Sequence, residues 1–224
     1  MRGAMAYSES VEEYLKTICS LGGGWEPVAM SALAARLDIS PVSAHEMIRK
    51  LAELDLVSYQ PYKGVMLTQE GVEAANRVVR RHRLWERFLH DVLGLPWATV
   101  HQEAHRLEHA TSLIVAEKLA EFLDNPESCP HGHPINEPGC DCPPAMETLA
   151  LSDLAGAQRG VIVSVPEDDE RVLRYVDELG LRPQTPVTVL DVMPLDGLVT
   201  IEVNGRPRTI GPRLASRIRV RSVA

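Results

Sequence analysis

The chain has 224 residues, of which 45% are hydrophobic and 24% charged, the proportions of an ordinary globular protein. Aromatic residues make up only 4% of the chain, so we expect cores built mainly from aliphatic side chains. No apolar run is long enough to cross a membrane, and the N-terminus lacks the apolar stretch of a signal peptide. These features favour a cytoplasmic protein with no membrane partner.

The charge is unevenly distributed. A net charge of −8 argues weakly against nucleic acid as a partner. Between Ser40 and Leu89, however, eight basic residues stand against six acidic ones. A local basic excess in an acidic chain is compatible with a DNA-binding module.

A helix-turn-helix pattern follows a first predicted helix at residues 9–21. Residues 30–36 form a short helix with small side chains. In the following turn, DISPVS, Ser40 is a natural N-cap and Pro41 suits the first helical position. The second helix is predicted at residues 43–54.

Residues 57–67, VSYQPYKGVML, predict two short strands around a Lys63-Gly64 turn, as in the wing of a winged helix. The alternative is a plain helical subdomain with a hairpin. The second helix of a helix-turn-helix enters the major groove by its N-terminal end, and Lys63 is placed to meet a phosphate. The predicted DNA-binding residues are Ser40, Pro41, Val42, Ser43, His45, Glu46, Arg49, Lys50 and Lys63.

Two clusters of metal-ligand residues follow. A helix predicted from Thr68 to about Leu93 sets His82 and Glu86 four residues apart. After the break at residues 94–96 comes the run HQEAHRLEH, within a stretch of helix formers from Ala98 to Leu123. The residues that share a face in this run are His101, His105, Glu108 and His109. A divalent metal is the usual partner of such a cluster, and the alternative is a solvated polar stripe.

Residues 124–144 are rich in Pro, Gly and Cys and are typical of a linker. The residues in it with zinc-ligand chemistry are Cys129, His131, His133, Cys140 and Cys142. Their spacings are C-x-H-x-H and C-x-C rather than the paired C-x2-C of a zinc ribbon. We therefore favour a linker over a zinc knot and leave zinc binding by these residues open.

From Leu149 the composition changes to short strand patterns with tight turns, interrupted by one helix at about residues 168–180. This predicts a small five-stranded barrel of the SH3-like type. The fold class is mainly α with a small β module. The predicted domains are a winged helix-turn-helix at 1–75, a helical metal-binding and dimerisation domain at 76–148, and an SH3-like (FeoA-like) domain at 149–224.

With these three parts in order, the chain resembles the diphtheria toxin repressor family of metal-dependent transcriptional repressors. The resemblance covers essentially the whole length and is most specific at SVEEYLKTICSL, VVRRHRLWERFL and TVHQEAHRLEH. It implies an ancillary metal site formed by His82, Glu86 and His101, to which Glu167 and Glu170 of the C-terminal domain are added. It implies a primary metal site formed by Glu13, His105, Glu108 and His109.

The chain departs from the family pattern at two primary-site positions. The iron-sensing branch has methionine where this chain has Glu13 and cysteine where it has His105, whereas the manganese-sensing branch has carboxylates at both. Carboxylate and imidazole suit Mn²⁺ and Fe²⁺, while thiolate favours softer metals. We therefore expect Mn(II) first and Fe(II) next, with other divalent metals possible in vitro.

The resemblance implies a Mn(II)- or Fe(II)-dependent repressor of metal homeostasis genes such as those for metal uptake. It would act as a homodimer on a palindromic operator in double-stranded DNA, without a small-molecule substrate. One alternative is a metal-dependent hydrolase, but HQEAH has its Glu at the third position and not at the second, where H-E-x-x-H places the general base. We therefore expect no enzyme. Another alternative is a DNA-binding protein with purely structural metal.

Overall fold

The computed structural model describes residues 7–135, 148–167, 169–193 and 195–223. The chain folds as two compact units. Of the described residues, the first unit contains 7–81 and 108–111, and the second contains 82–107, 112–135 and those from 148 onward. The second unit therefore combines parts of the predicted helical domain with the C-terminal strands.

The first unit contains the predicted winged helix. Its elements are α1 (Glu9–Ser20), α2 (Met30–Leu37), α3 (Pro41–Glu53), β1 (Val57–Gln60), β2 (Gly64–Leu67) and the start of α4 (Gln69–Asp91). The antiparallel strands β1 and β2 pair from Val57–Leu67 to Gln60–Gly64. The core is aliphatic, as expected, and its fully buried members include Leu15, Ile18, Leu33, Ile48, Leu51 and Leu56. The predicted winged helix is confirmed.

The start of α3 follows from two residues. Ser40 accepts a hydrogen bond from the backbone N–H of Ser43 at 3.1 Å, which satisfies one of the amides that a helix N-terminus leaves unpaired. Pro41 is the first helical residue, where its missing N–H removes nothing. The predicted helix therefore begins two residues before Ser43, and its exposed N-terminal turn is fixed by its own cap.

The stretch from Ala98 to Leu123 is not one continuous helix. It divides into α5 (Val100–Glu108) and α6 (Leu113–Phe122). The Ser112 side chain accepts from the backbone N–H of Val115 at 3.3 Å and caps α6. Ser competes with the helix for backbone hydrogen bonds, which helix propensity alone does not register. The stretch of helix formers is therefore interrupted, and His109 follows the end of α5.

The C-terminal part of the second unit is an open sheet with two helices. Its elements are β3 (Leu149–Ala150), a 3₁₀ turn (Leu151–Asp153), β4 (Arg159–Ser164), α7 (Glu170–Glu178), β5 (Pro186–Val192), β6 (Val199–Val203), β7 (Arg206–Ile210), α8 (Pro212–Ala215) and β8 (Arg219–Val223). Six antiparallel strands follow the order β3-β8-β4-β5-β6-β7. The SH3-like type is confirmed, but in the described residues the sheet has six strands and does not close into the expected five-stranded barrel.

The core of this sheet also receives side chains from outside it. Trp97 and Ala98, which precede α5, are buried in the same cluster as the strand residues. The Trp97 indole donates to the carbonyl of Pro130 at 2.9 Å. The strands and the segment before α5 therefore share one hydrophobic core within the second unit. None of the helices in the described ranges is long and apolar enough to cross a membrane.

Candidate metal centres and nucleic-acid interface

Three of the predicted primary ligands come together in the first unit. Donor atoms of Glu13, Glu108 and His109 lie within 4.8 Å of one another. Nε2 of His109 lies 3.2 Å from Oε1 of Glu108 and 3.5 Å from Oε2 of Glu13. His105 lies one turn before these residues on α5, at the spacing that places side chains on one helix face. Two carboxylates and an imidazole at these distances are a donor set for a divalent cation.

Glu12, to which the sequence assigned no ligand role, fixes the orientation of His109. Nδ1 of His109 donates to Oε2 of Glu12 at 2.8 Å, because a carboxylate can only accept. This leaves Nε2 as the atom that faces Glu13 and Glu108. Arg81 in turn donates to Oε1 of Glu12 at 2.6 Å and to the backbone carbonyl of Thr111 at 3.0 Å. A carboxylate behind an imidazole is the usual support of a metal-binding histidine.

The same carboxylates determine the charge of His109. Burial would lower the pKa of His109, but hydrogen bonds with Glu108, Glu12 and Glu13 outweigh burial and raise it to about 11. Burial likewise raises the pKa of Glu12, while hydrogen bonds from His109 and Arg81 hold it below its ordinary value. Without metal, a protonated His109 therefore balances part of the negative charge.

Lys16 supplies a second balancing charge. Its ammonium group donates to both oxygens of Glu108, at 2.7 Å and 2.9 Å. The Glu108 side chain is fully buried, whereas that of Lys16 is 18% exposed. Since an uncompensated buried carboxylate is costly, Lys16 stabilises Glu108 when no cation is bound.

In the second unit, the predicted ancillary residues form a compact triad. Nε2 of His82 and Nδ1 of His101 each lie 3.0 Å from Oε1 of Glu86 and 2.9 Å from each other. Glu86 and His82 are buried, whereas the side chain of His101 is 23% exposed. Two imidazoles and a carboxylate on one face are a familiar donor set for Fe²⁺ and similar ions.

A second donor group, which the sequence did not predict, shares Glu86. One donor atom each from Glu86, Cys129, His131 and Glu167 lies within 4.8 Å of the others. Nδ1 of His131 lies 3.3 Å from Glu86 and 3.5 Å from Glu167, and Sγ of Cys129 lies 3.8 Å from Glu167. Nε2 of His131 donates to the carbonyl of Trp97 at 3.0 Å, which leaves Nδ1 for the cluster. Cys129 and His131 are therefore brought into the ancillary region, although the sequence favoured a plain linker.

Neighbouring imidazoles set the charges of the carboxylates in this group. Burial raises the pKa of Glu86, but the imidazoles of His131 and His82 outweigh it and hold that pKa well below its ordinary value. Glu167 is affected in the same direction, because His133 and His131 outweigh burial and lower its pKa. Burial also raises the pKa of the Cys129 thiol to about 12. Without metal, the carboxylates are thus ionised and the thiol is protonated.

The other residues considered from the sequence belong to none of these donor groups in the described part of the chain. Glu170 begins α7 and forms an ion pair with Arg174. Nε2 of His133 donates to the carbonyl of Val165 at 2.9 Å and lies 3.5 Å from Oε2 of Glu167, beside the second donor group. Cys140 and Cys142 lie outside the described residues.

The predicted DNA-binding residues lie around the N-terminal half of α3 and the β1–β2 turn. All of them are exposed except His45, which is half-buried, and Val42 is 68% exposed. The His45 ring packs edge-on against Tyr59 of β1, with 5.7 Å between ring centres. A shallow concave surface here is lined by Val42, His45, Glu46, Arg49 and Tyr59. An exposed recognition helix beside a wing suits a DNA groove.

A winged helix with an exposed recognition helix, together with clusters of buried metal donors, defines the class of metal-responsive DNA-binding regulators. Residues 6–65 match the iron dependent repressor N-terminal DNA binding domain, and residues 68–137 match the metal binding and dimerisation domain of the same repressors. Residues 149–222 match the FeoA domain.

Similar proteins span the whole chain. The iron-dependent repressor IdeR of Mycobacterium bovis is 33% identical over 96% of this chain and 98% of its own length. The diphtheria toxin repressor of Corynebacterium glutamicum is 30% identical over 96% of this chain and 97% of its own length. The chain belongs to the diphtheria toxin repressor family of metal-dependent transcriptional repressors.

Solved structures agree with this assignment. A manganese-dependent transcriptional repressor in complex with manganese has a TM-score of 0.85 at 32% identity, over 95% of this chain and all of that one. ScaR with bound Zn²⁺ has a TM-score of 0.83 at 29% identity, over 95% of this chain and 99% of the ScaR chain. The family comprises repressors and not enzymes, so the expectation that this chain is no enzyme is confirmed.

Proposed function

We propose that this chain is a manganese- or iron-activated repressor of metal homeostasis genes, such as those for metal uptake. One observation carries the proposal. A single donor cluster combines Glu13, from the region that matches the DNA-binding domain, with Glu108 and His109, from the region that matches the dimerisation domain. An ion bound by all three favours one arrangement of these domains, so metal shifts the population toward the form that binds DNA.

The donor chemistry supports manganese first and iron second. The proposed primary site consists of Glu13, His105, Glu108 and His109 and contains no sulfur, which suits Mn²⁺ and Fe²⁺. Relatives named for iron dependence and for manganese dependence agree with this pair. ScaR holds Zn²⁺ in one structure, so we expect other divalent ions to bind in vitro. At the ancillary site we propose His82, Glu86, His101 and Glu167, together with Cys129 and His131, as ligands.

DNA would be read by the exposed N-terminal turns of α3. We propose that Pro41, Val42, Ser43, His45 and Glu46 approach base edges, and that Arg49, Lys50 and Lys63 contact phosphates. Ser40 would act mainly as the cap that fixes this turn. The regulator would work in the cytoplasm, where its DNA lies, and take no small-molecule substrate.

We further propose a homodimer on a palindromic operator, because residues 68–137 match a dimerisation domain. A second copy would cover the exposed apolar side chains of α6, which are Leu113, Ile114, Val115 and Phe122. A two-fold dimer places two recognition helices on two half-sites, which makes the operator palindromic. Ile114→Glu should dissociate the dimer in analytical ultracentrifugation, whereas Glu117→Gln on the same helix should not.

The decisive experiment is operator binding by the metal-free chain, titrated separately with Mn²⁺, Fe²⁺, Co²⁺ and Zn²⁺. The operator is first selected from random duplexes with the Mn²⁺-loaded protein. We expect metal to tighten binding by roughly 5- to 150-fold, about 1–3 kcal/mol. Equal binding with and without metal would instead favour a DNA-binding protein with structural metal.

Variants locate the coupling within the primary site. Glu13→Ala should keep measurable Mn²⁺ affinity, because three protein ligands and water remain a viable set, but should lose much of the metal-dependent gain in operator affinity. His109→Ala should lose both. Glu9→Ala, on the same helix and exposed, is the matched control and should behave as the parent. If Glu13→Ala repressed as well as the parent at saturating Mn²⁺, Glu13 would not be the link.

A further inference from the structure

The two ancillary donor groups share one residue, Glu86. The triad adds His82 and His101 to it, whereas the second group adds Cys129, His131 and Glu167. Glu86 is completely buried, and its Oε1 atom lies within 3.3 Å of three imidazole nitrogens. Its Oε2 atom is also buried, and it has no hydrogen-bond partner among the described residues. A buried carboxylate oxygen without a partner is costly unless a cation meets it.

The distances within the triad fit an octahedral ion. For ligands roughly 2.1 Å from an ion, neighbouring donors are about 3.0 Å apart in an octahedron and about 3.4 Å apart in a tetrahedron. The three triad separations are 3.0, 3.0 and 2.9 Å. The triad therefore provides one face of an octahedron and leaves the other positions to water, near the partly exposed His101.

The distances within the second group are longer and fit a tetrahedral ion. Nδ1 of His131 lies 3.3 Å from Glu86 and 3.5 Å from Glu167. Sγ of Cys129 lies 3.8 Å from Glu167, compared with about 3.6 Å for a sulfur and an oxygen on a tetrahedral zinc ion. All four donors come from the protein, and Cys129 and His131 are almost completely buried. A closed tetrahedral set that includes a thiolate is typical of Zn²⁺.

We propose that the two groups bind two ions at once, and that the Glu86 carboxylate is shared between them. The triad holds an exchangeable Mn²⁺ or Fe²⁺ ion, and the Cys129 group holds a tightly bound ion of the Zn²⁺ class. The ancillary site is then a mixed dinuclear centre. This inference rests on the proposed metal-dependent function, which it extends from the identity of the ligands to the number and kind of ions.

The test uses the demetallated full-length chain reconstituted with Co²⁺ alone. Bound cobalt is counted by elemental analysis after gel filtration, and absorption spectra are recorded on the same samples. Tetrahedral cobalt with a thiolate ligand absorbs strongly in the visible and near-ultraviolet, whereas octahedral cobalt absorbs weakly. The variants are His101→Ala, Cys129→Ala and the double variant. His90→Ala on α4, outside both donor groups, is the matched control.

We expect each single variant to lose one cobalt ion per chain and the double variant to lose two. Cys129→Ala should abolish the strong bands, and His101→Ala should retain them. If both singles and the double variant lost the same one ion, the two groups would form one site and the proposal would be overturned. Unchanged stoichiometry and bands in Cys129→Ala would overturn it as well. If Cys129→Ala does not fold, Cys129→Ser takes its place, with folding checked by circular dichroism.

Operator binding on the same samples separates this proposal from the proposed function. Suppose that the double variant loses two cobalt ions but the parent shows no metal-dependent DNA binding. This result would support the dinuclear centre and refute the repressor function. Metal-dependent DNA binding with a single ancillary ion would do the reverse.

Discussion

Substitution of Glu12 separates the orientation of a ligand from ligation itself. The Glu12 carboxylate accepts from Nδ1 of His109 and from Arg81. In Glu12→Gln the amide oxygen can accept from one of these donors, but the NH₂ group faces the other. Loss of the support behind a metal-binding histidine typically costs 10- to 100-fold in metal affinity, about 1.4–2.7 kcal/mol. We therefore expect Glu12→Gln to weaken Mn²⁺ binding by this factor while all direct donors remain.

Glu12→Ala adds a stability cost. Arg81 is 9% exposed and would keep, among its hydrogen bonds to the described residues, the one to the Thr111 carbonyl. Removal of one partner of a buried ion pair costs about 3–5 kcal/mol, and since this pair is not fully buried we expect the lower end of that range. Calorimetric Mn²⁺ titration measures the first effect, and urea unfolding of the metal-free chain measures the second. Glu9→Gln is the control. Parent-like Mn²⁺ affinity in Glu12→Gln would refute the role of Glu12 in orienting His109.

Three further predictions follow from charges near the metal and the DNA. The charged form of His109 stabilises the metal-free chain in full below the ordinary pKa of 6.5, and this contribution is lost as the pH rises through about 11. Metal binding at Nε2 of His109 should therefore release a proton near neutral pH. Calorimetric metal titrations in two buffers of different ionisation enthalpy detect this proton, and equal heats of binding in the two buffers would contradict its release. Lys16→Met should tighten Mn²⁺ binding, because it removes a competing cation from Glu108, and should lower metal-free stability by up to about 3 kcal/mol; weaker Mn²⁺ binding would contradict this role. Lys63→Ala should weaken binding to all DNA sequences alike and reduce the salt slope by about one, and a changed sequence preference with an unchanged slope would rule out a phosphate contact.

Local signals predicted the winged helix well. Ser40 and Pro41 mark the start of α3 by their own chemistry, and the Lys63-Gly64 turn lies between two short strands. The grouping of candidate donors on α4 and α5 was also predicted, because helical spacing is visible in the sequence. The interruption between α5 and α6 was not predicted, since the run of helix formers contains no Gly or Pro and only the Ser112 cap marks the start of α6.

The Cys129 group could not be found in this way. Its four donors come from α4, the 124–135 segment and the residues after β4, so no local spacing connects them. The sequence showed Cys129 and His131 with ligand chemistry, and what it lacked was the tertiary contact that brings Glu86 and Glu167 to them. Closure of the C-terminal sheet is also a long-range property, which strand patterns do not determine.

The loop that carries Cys129 and His131 is held against the end of β4 by backbone contacts. Gly132 has a φ of +91°, and a Cβ there would lie 1.9 Å from the carbonyl oxygen of Val163, so only glycine fits. The Val165 amide donates to the carbonyl of His131, and the Cys129 amide donates to the carbonyl of His133. An incoming ion therefore meets ligands whose conformational entropy was already lost when the chain folded. Binding of an ion then requires little reorganisation of this loop.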